Sequence, residues 1–104
     1  MIVVTTENVV GHRIVRSLGL VRGNSIRSRH LGHVLVAFLR RLVGGEIRDY
    51  TKMMAEAREQ AYDRMVAEAE ALGANAILAV RFASSEVMAG AAEIIIYGTA
   101  AVIE

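Results

Sequence analysis

Two histidines in the first half of the chain are the side chains best suited to bind a metal ion. His30 and His33 are spaced i, i+3, so on a helix their imidazoles share one face. Neutral imidazoles placed in this way bind zinc, copper or nickel. Two ligands are too few for a tight site, so a third would come from His12, a carboxylate or the same pair in another copy. The commoner outcome for such a pair is two surface histidines near a helix start.

Four arginines flank these histidines and make the same stretch a candidate anion-binding surface: Arg27, Arg29, Arg40 and Arg41. Repeated around a ring, they would attract an acidic metabolite, a nucleotide or an RNA backbone. The three tyrosines and two phenylalanines do not interleave with the arginines, so base stacking is poorly supported and nucleic-acid binding is not favoured. The competing interpretation is pairing with acids: residues 1–52 carry nine basic and three acidic side chains, and residues 53–104 carry three basic and eight acidic ones.

Carboxylates and a tyrosine mark two further places. Glu46, Asp49 and Tyr50 follow Gly44-Gly45, where a glycine hinge beside carboxylates would suit a binding loop. A plain connection between two helices is the alternative. Glu93 stands in an apolar stretch, where a buried carboxylate needs a partner such as Arg81. No phosphate-binding loop, dinucleotide fingerprint or nucleophile elbow is present, so the sequence favours a protein that is not an enzyme.

Composition limits the classes of protein to which this chain can belong. The chain has 104 residues, 54% of them hydrophobic, and no cysteine or proline. Such a composition excludes a disordered chain, and the lack of cysteine excludes disulfides and thiolate metal sites. No apolar run reaches the ~18 residues of a membrane span, and the first residues do not resemble a secretory signal. We therefore expect a single domain over residues 1–104, located in the cytoplasm and without a membrane partner.

The residue pattern predicts six elements in the order β-β-α-α-β-β, which is typical of an α+β fold with an antiparallel sheet covered by helices. They lie at residues 2–6, 13–22, 31–43, 50–72, 76–84 and 93–103. Gly19 and Gly23 are expected at a bend or a close backbone approach. Gly73 is the expected left-handed residue after the long helix. The last two strands should form an antiparallel hairpin.

The last two strands are apolar on both faces, and this is the strongest sequence signal for self-association. Strands of this kind have both faces covered. One face can lie under the helices, but little chain is left to cover the other, so we expect a second copy to cover it. The isolated monomer should then be marginally stable. Replacing Ile95 or Leu78 with Asp should impair folding and assembly together.

Short stretches along the whole chain carry a family resemblance by their joint spacing: Gly11–Val15, Val21–Gly23, Val43–Ile47, Tyr50–Thr51, Ala57–Arg58, Leu72–Ala76, Gly90–Glu93 and Tyr97–Ala100. The pattern resembles the YbjQ-like family, whose members are described as heavy-metal-binding and whose biochemical activity is unassigned. The resemblance implies a dodecin-like subunit in a ring-shaped pentamer. The sequence departs from the family at residues 29–33, where an Asn-containing run is replaced by one with two histidines.

Three functions remain open at this point. The leading hypothesis is a homo-oligomeric, ring-forming binding or scaffold protein that is not an enzyme and has sites for a small anionic ligand at its subunit boundaries. The second is a divalent-metal binder that uses His30 and His33, with the metal as its only cofactor. The third is a small-molecule enzyme with an intersubunit site.

Overall fold

A computed structural model describes residues 1–28, 46–88 and 91–104 of the chain. In chain order the elements are β1 (Ile2–Val3), β2 (Ile14–Ser28), α1 (Glu46–Ala71), β3 (Ala76–Met88) and β4 (Ala91–Ile103). The α+β class is confirmed. The helix expected at residues 31–43 lies outside the described residues.

The four strands form one sheet in the order β1-β3-β4-β2. β4 pairs antiparallel with both β2 and β3, and the hairpin expected from β3 and β4 is confirmed. β1 runs parallel to β3, so the expectation of an antiparallel sheet is wrong and the sheet is mixed. β1 and β3 are separated in the chain by β2 and α1, a connection long enough to bring two strands side by side in the same direction.

The strands extend further than the residue pattern predicts. β2 continues through Asn24 to Ser28, beyond the end expected at residue 22. The reason is its register: Asn24 lies opposite Ile95, so one face of this polar stretch pairs with a strongly β-forming strand. Irregular pairing at Ser17 and Gly19, with Gly19 at φ 98°, confirms the expected bend.

The helix α1 packs its alanine-rich stripe directly onto the sheet. Ala57, Ala61, Met65 and Ala69 are fully buried against Val21, Ile94, Ile96 and their neighbours. A Cβ atom at Gly23 would lie 2.0 Å from the Ala61 carbonyl oxygen, so only glycine permits this distance between strand and helix. The close approach expected at Gly23 is therefore confirmed. Gly73 has φ 86° and ends the helix as expected.

The N-terminal segment covers part of the opposite face of the sheet. Val4 and Val9 pack on a second, smaller cluster formed by Ala76, Leu78, Ala101 and Ile103. Backbone hydrogen bonds hold this segment in place: the Val4 N–H donates to the Ile77 carbonyl at 3.0 Å, and the Val80 N–H donates to the Val4 carbonyl at 3.0 Å. One chain thus covers one end of this face without help from a partner.

A bulge in β3 ends this covered region. The pairing with β4 shifts between Leu78 and Arg81, and Ala79 adopts φ 53°. The Ala79 N–H donates to the Thr6 carbonyl at 2.9 Å, which fixes the bulge against the N-terminal segment. On β4, Gly98 faces the bulge, where a Cβ atom would come within 2.8 Å of the Ile77 side chain. Beyond Arg81, β3 continues without a neighbour on its outer edge among the described residues.

Candidate functional site

The residues predicted to form sites fall into two groups, those that the structure describes and those outside the described residues. His30, His33, Arg29, Arg40 and Arg41 lie outside the described residues. Arg27 lies near the end of β2, opposite Ala92. Glu46 is the first residue of α1 and Tyr50 lies in its second turn, so both belong to the helix and not to a binding loop.

Glu93 is half-buried on β4 and does not meet its expected partner. It lies opposite Ile26 on one side and Ser85 on the other, whereas Arg81 lies opposite Tyr97, four residues further along the strand. The Arg81 guanidinium donates instead to the carbonyl oxygens of Thr5 at 2.8 Å and Val80 at 2.9 Å. The expected pair between Glu93 and Arg81 is therefore wrong, because the strand register holds the two residues apart.

Charge pairing between the two halves of the sequence is sparse in the described part of the chain. One salt bridge forms there, between Arg13 and Glu104, and both side chains are more than half exposed. Arg64 of the helix donates to the Asn24 carbonyl at 2.7 Å, which is a backbone contact and not an ion pair. Arg16 and Arg22 of β2 are exposed and form no ion pair with the described residues.

A metal site is not assembled by the described residues alone. They contain no group of three or more histidine, aspartate or glutamate side chains placed to hold an ion. His12 is exposed in a turn in which its N–H donates to the Val9 carbonyl at 3.1 Å. Within the same described ranges, no helix has the length and apolar character needed to cross a membrane.

The part of the sheet beyond the N-terminal segment presents an uncovered surface, which we call the open face. It consists of the side chains that point away from α1: Leu20, Arg22, Asn24 and Ile26 on β2; Glu93, Ile95 and Tyr97 on β4; Arg81, Ala83 and Ser85 on β3. Leu20 is 64% exposed and Ile26 is 58% exposed. These are large apolar side chains on an edge strand of the sheet, and contiguous exposed apolar area of this kind marks an interaction surface.

A row of three polar residues crosses this open face. Arg22 and Arg81 both lie directly opposite Tyr97, one on each neighbouring strand. Tyr97 therefore lies between two neighbouring strands, each about 4.8 Å away, that carry an arginine at the position directly opposite it. Guanidinium groups bind carboxylates and phosphates through paired hydrogen bonds, and they also stack on aromatic rings. The row is the strongest cationic feature of the described sheet.

A shallow groove lies on the other face, between the helix and β3. It arises because α1 lies over β2 and β4 and scarcely touches β3. A depression of about 130 Å³ is lined there by Met54, Arg58, Phe82, Ala83, Ser84 and Ile94. Phe82 is 55% exposed at this place. The apolar lining and the open side of the groove indicate a surface that another element would cover.

Sequence reasoning missed both surfaces for one reason. Arg22, Arg81 and Tyr97 are far apart in the chain, and only the pairing register of β2, β4 and β3 brings them into one row. The groove follows from the lateral position of the helix, which no periodicity in the sequence encodes. The available signal was indirect: the apolar residues on both faces of β3 and β4 predicted that some of them would stay exposed.

Comparison with known protein families gives a match over the whole chain. A family model described as "Putative heavy-metal-binding" matches residues 1–104. A UPF0145 protein of Dehalococcoides mccartyi is 54% identical over 104 residues, the full length of both chains. A UPF0145 protein of Thermosipho africanus is 55% identical over 100 residues, which cover 96% of this chain and 93% of the relative.

Comparison with solved structures supports the fold. A protein of unknown function of the DUF74 family from Pediococcus pentosaceus superposes with a TM-score of 0.70. The match covers 100% of this chain and 98% of the other, at 16% sequence identity. At this level of identity the likeness concerns the arrangement of the strands and the helix.

Proposed function

This chain belongs to the YbjQ family, and we propose that it is the subunit of a homo-oligomeric, ring-shaped binding protein that takes a small anionic ligand at its subunit boundaries. The open face carries this proposal. It combines exposed Leu20 and Ile26 with the row formed by Arg22, Tyr97 and Arg81. Apolar area of this kind favours association, and the arginines supply a charge that a small acid can neutralise.

The shape of the chain supports association. The part of the chain that the structure describes extends over 55 × 22 × 17 Å, with a radius of gyration of 17.4 Å. A compact domain of about 100 residues has a radius of gyration of about 13 Å. An elongated arrangement with one helix among the described residues buries less of its sheet than a compact one does. Burial by further copies would compensate for this deficit, and we propose a pentamer as the resemblance implies.

The assembly is tested by light scattering on the purified full chain at micromolar concentration. A pentamer of an 11.3 kDa subunit has a mass of about 56 kDa. Leu20→Gln and Ile26→Gln should shift the mass toward that of the monomer. Val10→Gln is the matched control, because Val10 is 99% exposed but lies in a turn outside the open face. A wild-type monomer at these concentrations would contradict the proposal.

The ligand class is tested by calorimetric titration with inorganic phosphate and with succinate as probes. Arg22→Gln removes a guanidinium group that is not needed for burial, since Arg22 is exposed. Loss of one charge-assisted contact should weaken binding of the anion about tenfold. Arg58→Gln, on the opposite face of the sheet, is the control and should leave the affinity unchanged. No heat with either anion, or equal losses in both variants, would contradict an anion site on the open face.

A metal-binding function is the second candidate, favoured by the family description and by the i, i+3 spacing of His30 and His33. We propose that any such site is completed by imidazoles of several copies, since cysteine is absent. Titration with Zn²⁺, Cu²⁺ and Ni²⁺ separates the two candidates. The double variant His30→Ala with His33→Ala should lose the metal-dependent heat, and His12→Ala should retain it. Absence of heat in the wild type would dismiss this candidate.

A further inference from the structure

We propose that successive copies join edge to edge, with the outer edge of β3 pairing in parallel with the outer edge of β2 of the next copy. This inference rests on the proposed homo-oligomer and names the contact that builds it. The occupant of each edge is a second copy of the same chain.

Both outer edges of the sheet are open in the described part of the chain. β2 is the last strand of the sheet order and runs for 15 residues. β3 is paired on its outer side with β1 at Ala76 and Ile77, and backbone contacts with the N-terminal segment continue to Val80. From Phe82 to Met88 no described strand lies beside it. Long unpaired edges readily pair with another chain, because their N–H and C=O groups lack partners.

The two free stretches match in length. The pairing of β2 with β4 is irregular at Ile14 to Gly19 and regular from Leu20 to Ser28. The regular part can extend a neighbouring sheet, and its nine residues are comparable with the seven of the free stretch on β3. The bulges near Ser17 bend the first part of β2. In the joined sheet this bend allows the first part of β2 to pass outside β1 of the neighbouring copy.

Charge favours joining unlike edges over joining like ones. Residues 14–28 carry three arginines and no acid, so two β2 strands placed side by side would repel each other. Residues 76–88 carry Arg81 and Glu86 and are neutral in sum. β2 is therefore better matched with β3 than with itself. A joint between two different surfaces repeats from copy to copy, which produces a closed ring when the rotation closes.

The direction of the strands agrees with a ring. β2 and β3 are both antiparallel to β4, so they run parallel to each other within one chain. Rotation about an axis along the strands preserves this direction. β3 of one copy would thus meet β2 of the next as a parallel pair, and every helix would lie on the same side of the joined sheet.

The lateral position of the helix gives this joint its second argument. α1 lies over β2 and β4 and makes little contact with β3, whose Phe82 is 55% exposed. In the joined sheet the next copy's helix, lying over its own β2, comes to the other side of β3. Successive helices would repeat every three strands, or about 14 Å, whereas packed helices lie about 8–10 Å apart. Large side chains must fill the difference, and Phe82 on β3 and Tyr62, which follows Arg58 by one turn of α1 and is 38% exposed, can supply them.

Cysteine cross-linking tests the joint directly, because the chain contains no cysteine of its own. Ala83→Cys on the open face of β3 is combined in turn with Arg22→Cys, Asn24→Cys and Ile26→Cys on β2. Ala83 and Asn24 both lie opposite Ile95, so within one chain they are two strands, or about 10 Å, apart. This separation exceeds the reach of a disulfide, about 7 Å between Cα atoms. A disulfide must then join different copies.

Mild oxidation should convert at least one of these double variants into a ladder of covalent oligomers that ends at the ring size. Ala83→Cys with Ala67→Cys, on the exposed side of the helix, is the control and should give no ladder. Hydrogen exchange on the wild type is a readout that needs no substitution: amides of residues 20–28 and 82–88 should be protected in the oligomer and lose protection on dilution to monomers.

The outcomes separate this joint from the proposed function. Suppose that light scattering shows an oligomer, but none of the three double variants gives a ladder, or the amides at both edges exchange fast. Either result overturns the joint and leaves the proposed oligomer standing. Covalent dimers from Asn24→Cys alone would indicate that β2 meets β2, which also overturns it. A wild-type monomer overturns the proposed function, and the joint with it.

Discussion

The two faces of the sheet consist of the same three long strands, yet they differ in how they are covered. On one face, α1 lies so close that Gly23 has no room for a side chain, and Val21 and Ile96 are almost wholly buried. On the other, the N-terminal segment covers Leu78 and Ile103 but ends before Leu20 and Ile26. The first face is covered by the same chain except beside Phe82 on β3, whereas the second is covered at one end only.

This difference separates residues that serve the folding of one chain from residues left for other chains. Buried positions under the helix should affect the free energy of unfolding at any protein concentration. Open-face positions should instead affect the concentration at which copies associate. Matched substitutions on the two faces can therefore test whether stability and association depend on different residues.

The largest effect is expected at Gly23. In Gly23→Ala the new Cβ atom meets backbone atoms of Ala61 and Met65, which cannot rotate away, so the helix must shift from the sheet. We expect a loss of at least about 3 kcal/mol in the free energy of unfolding. Gly19→Ala is the control, because no atom lies within 4 Å of the position that its Cβ atom would take. The strained positive φ is its only cost, about 1 kcal/mol. Urea denaturation of both variants measures the difference, and equal losses would refute the close packing.

A smaller difference is expected between the covered and open ends of the second face. Leu78 is 5% exposed under the N-terminal segment, so Leu78→Asp buries an unpaired charge at a cost of about 3–5 kcal/mol. Ile95 is half-buried on the open face, so the new carboxylate of Ile95→Asp stays partly hydrated and the chain should keep its circular dichroism spectrum. This prediction differs from the sequence-based expectation that both substitutions impair folding. An unfolded Ile95→Asp chain would favour the original expectation.

The smallest effect is expected at the polar contact between strand and helix. Ser25 is buried and its hydroxyl donates to the Gln60 side-chain oxygen at 2.7 Å. Ser25→Ala leaves that oxygen without its donor and should cost about 1 kcal/mol. Combining it with Gln60→Ala in a double-mutant cycle isolates the coupling between the two residues. Additive losses would mean that the hydrogen bond contributes nothing to stability. Ser17→Ala is the control: Ser17 is exposed, so its substitution should leave the free energy of unfolding unchanged.

Several elements could be predicted from the residues themselves. The period of Met54, Ala57, Ala61 and Met65 identified α1, and the β-branched residues from Ile94 to Ile96 identified β4. Gly73 marked the end of the helix through its permissive backbone. These are local properties, so a single chain segment is enough to reveal them. The extension of β2 to Ser28 could not be predicted, because Asn24 to Ser28 form a strand only through their partners on β4.

The candidate site shows the same limit. The sequence predicts an anion-binding surface from four arginines that are close to one another in the chain: Arg27, Arg29, Arg40 and Arg41. The row in the described sheet instead unites Arg22, Tyr97 and Arg81, which are neighbours in register only. The partner proposed for Glu93 was wrong for the same reason, since two strand positions separate it from Arg81 on the same face.

The sequence by itself determined the class of fold, the main helix and the excess of apolar residues on both faces of the last two strands, because composition and periodicity are local. Only the tertiary structure decided which face the helix covers, where the N-terminal segment ends, and which side chains are left exposed. Those outcomes depend on strand register and on the lateral position of the helix, which arise from contacts between residues that are distant in the chain.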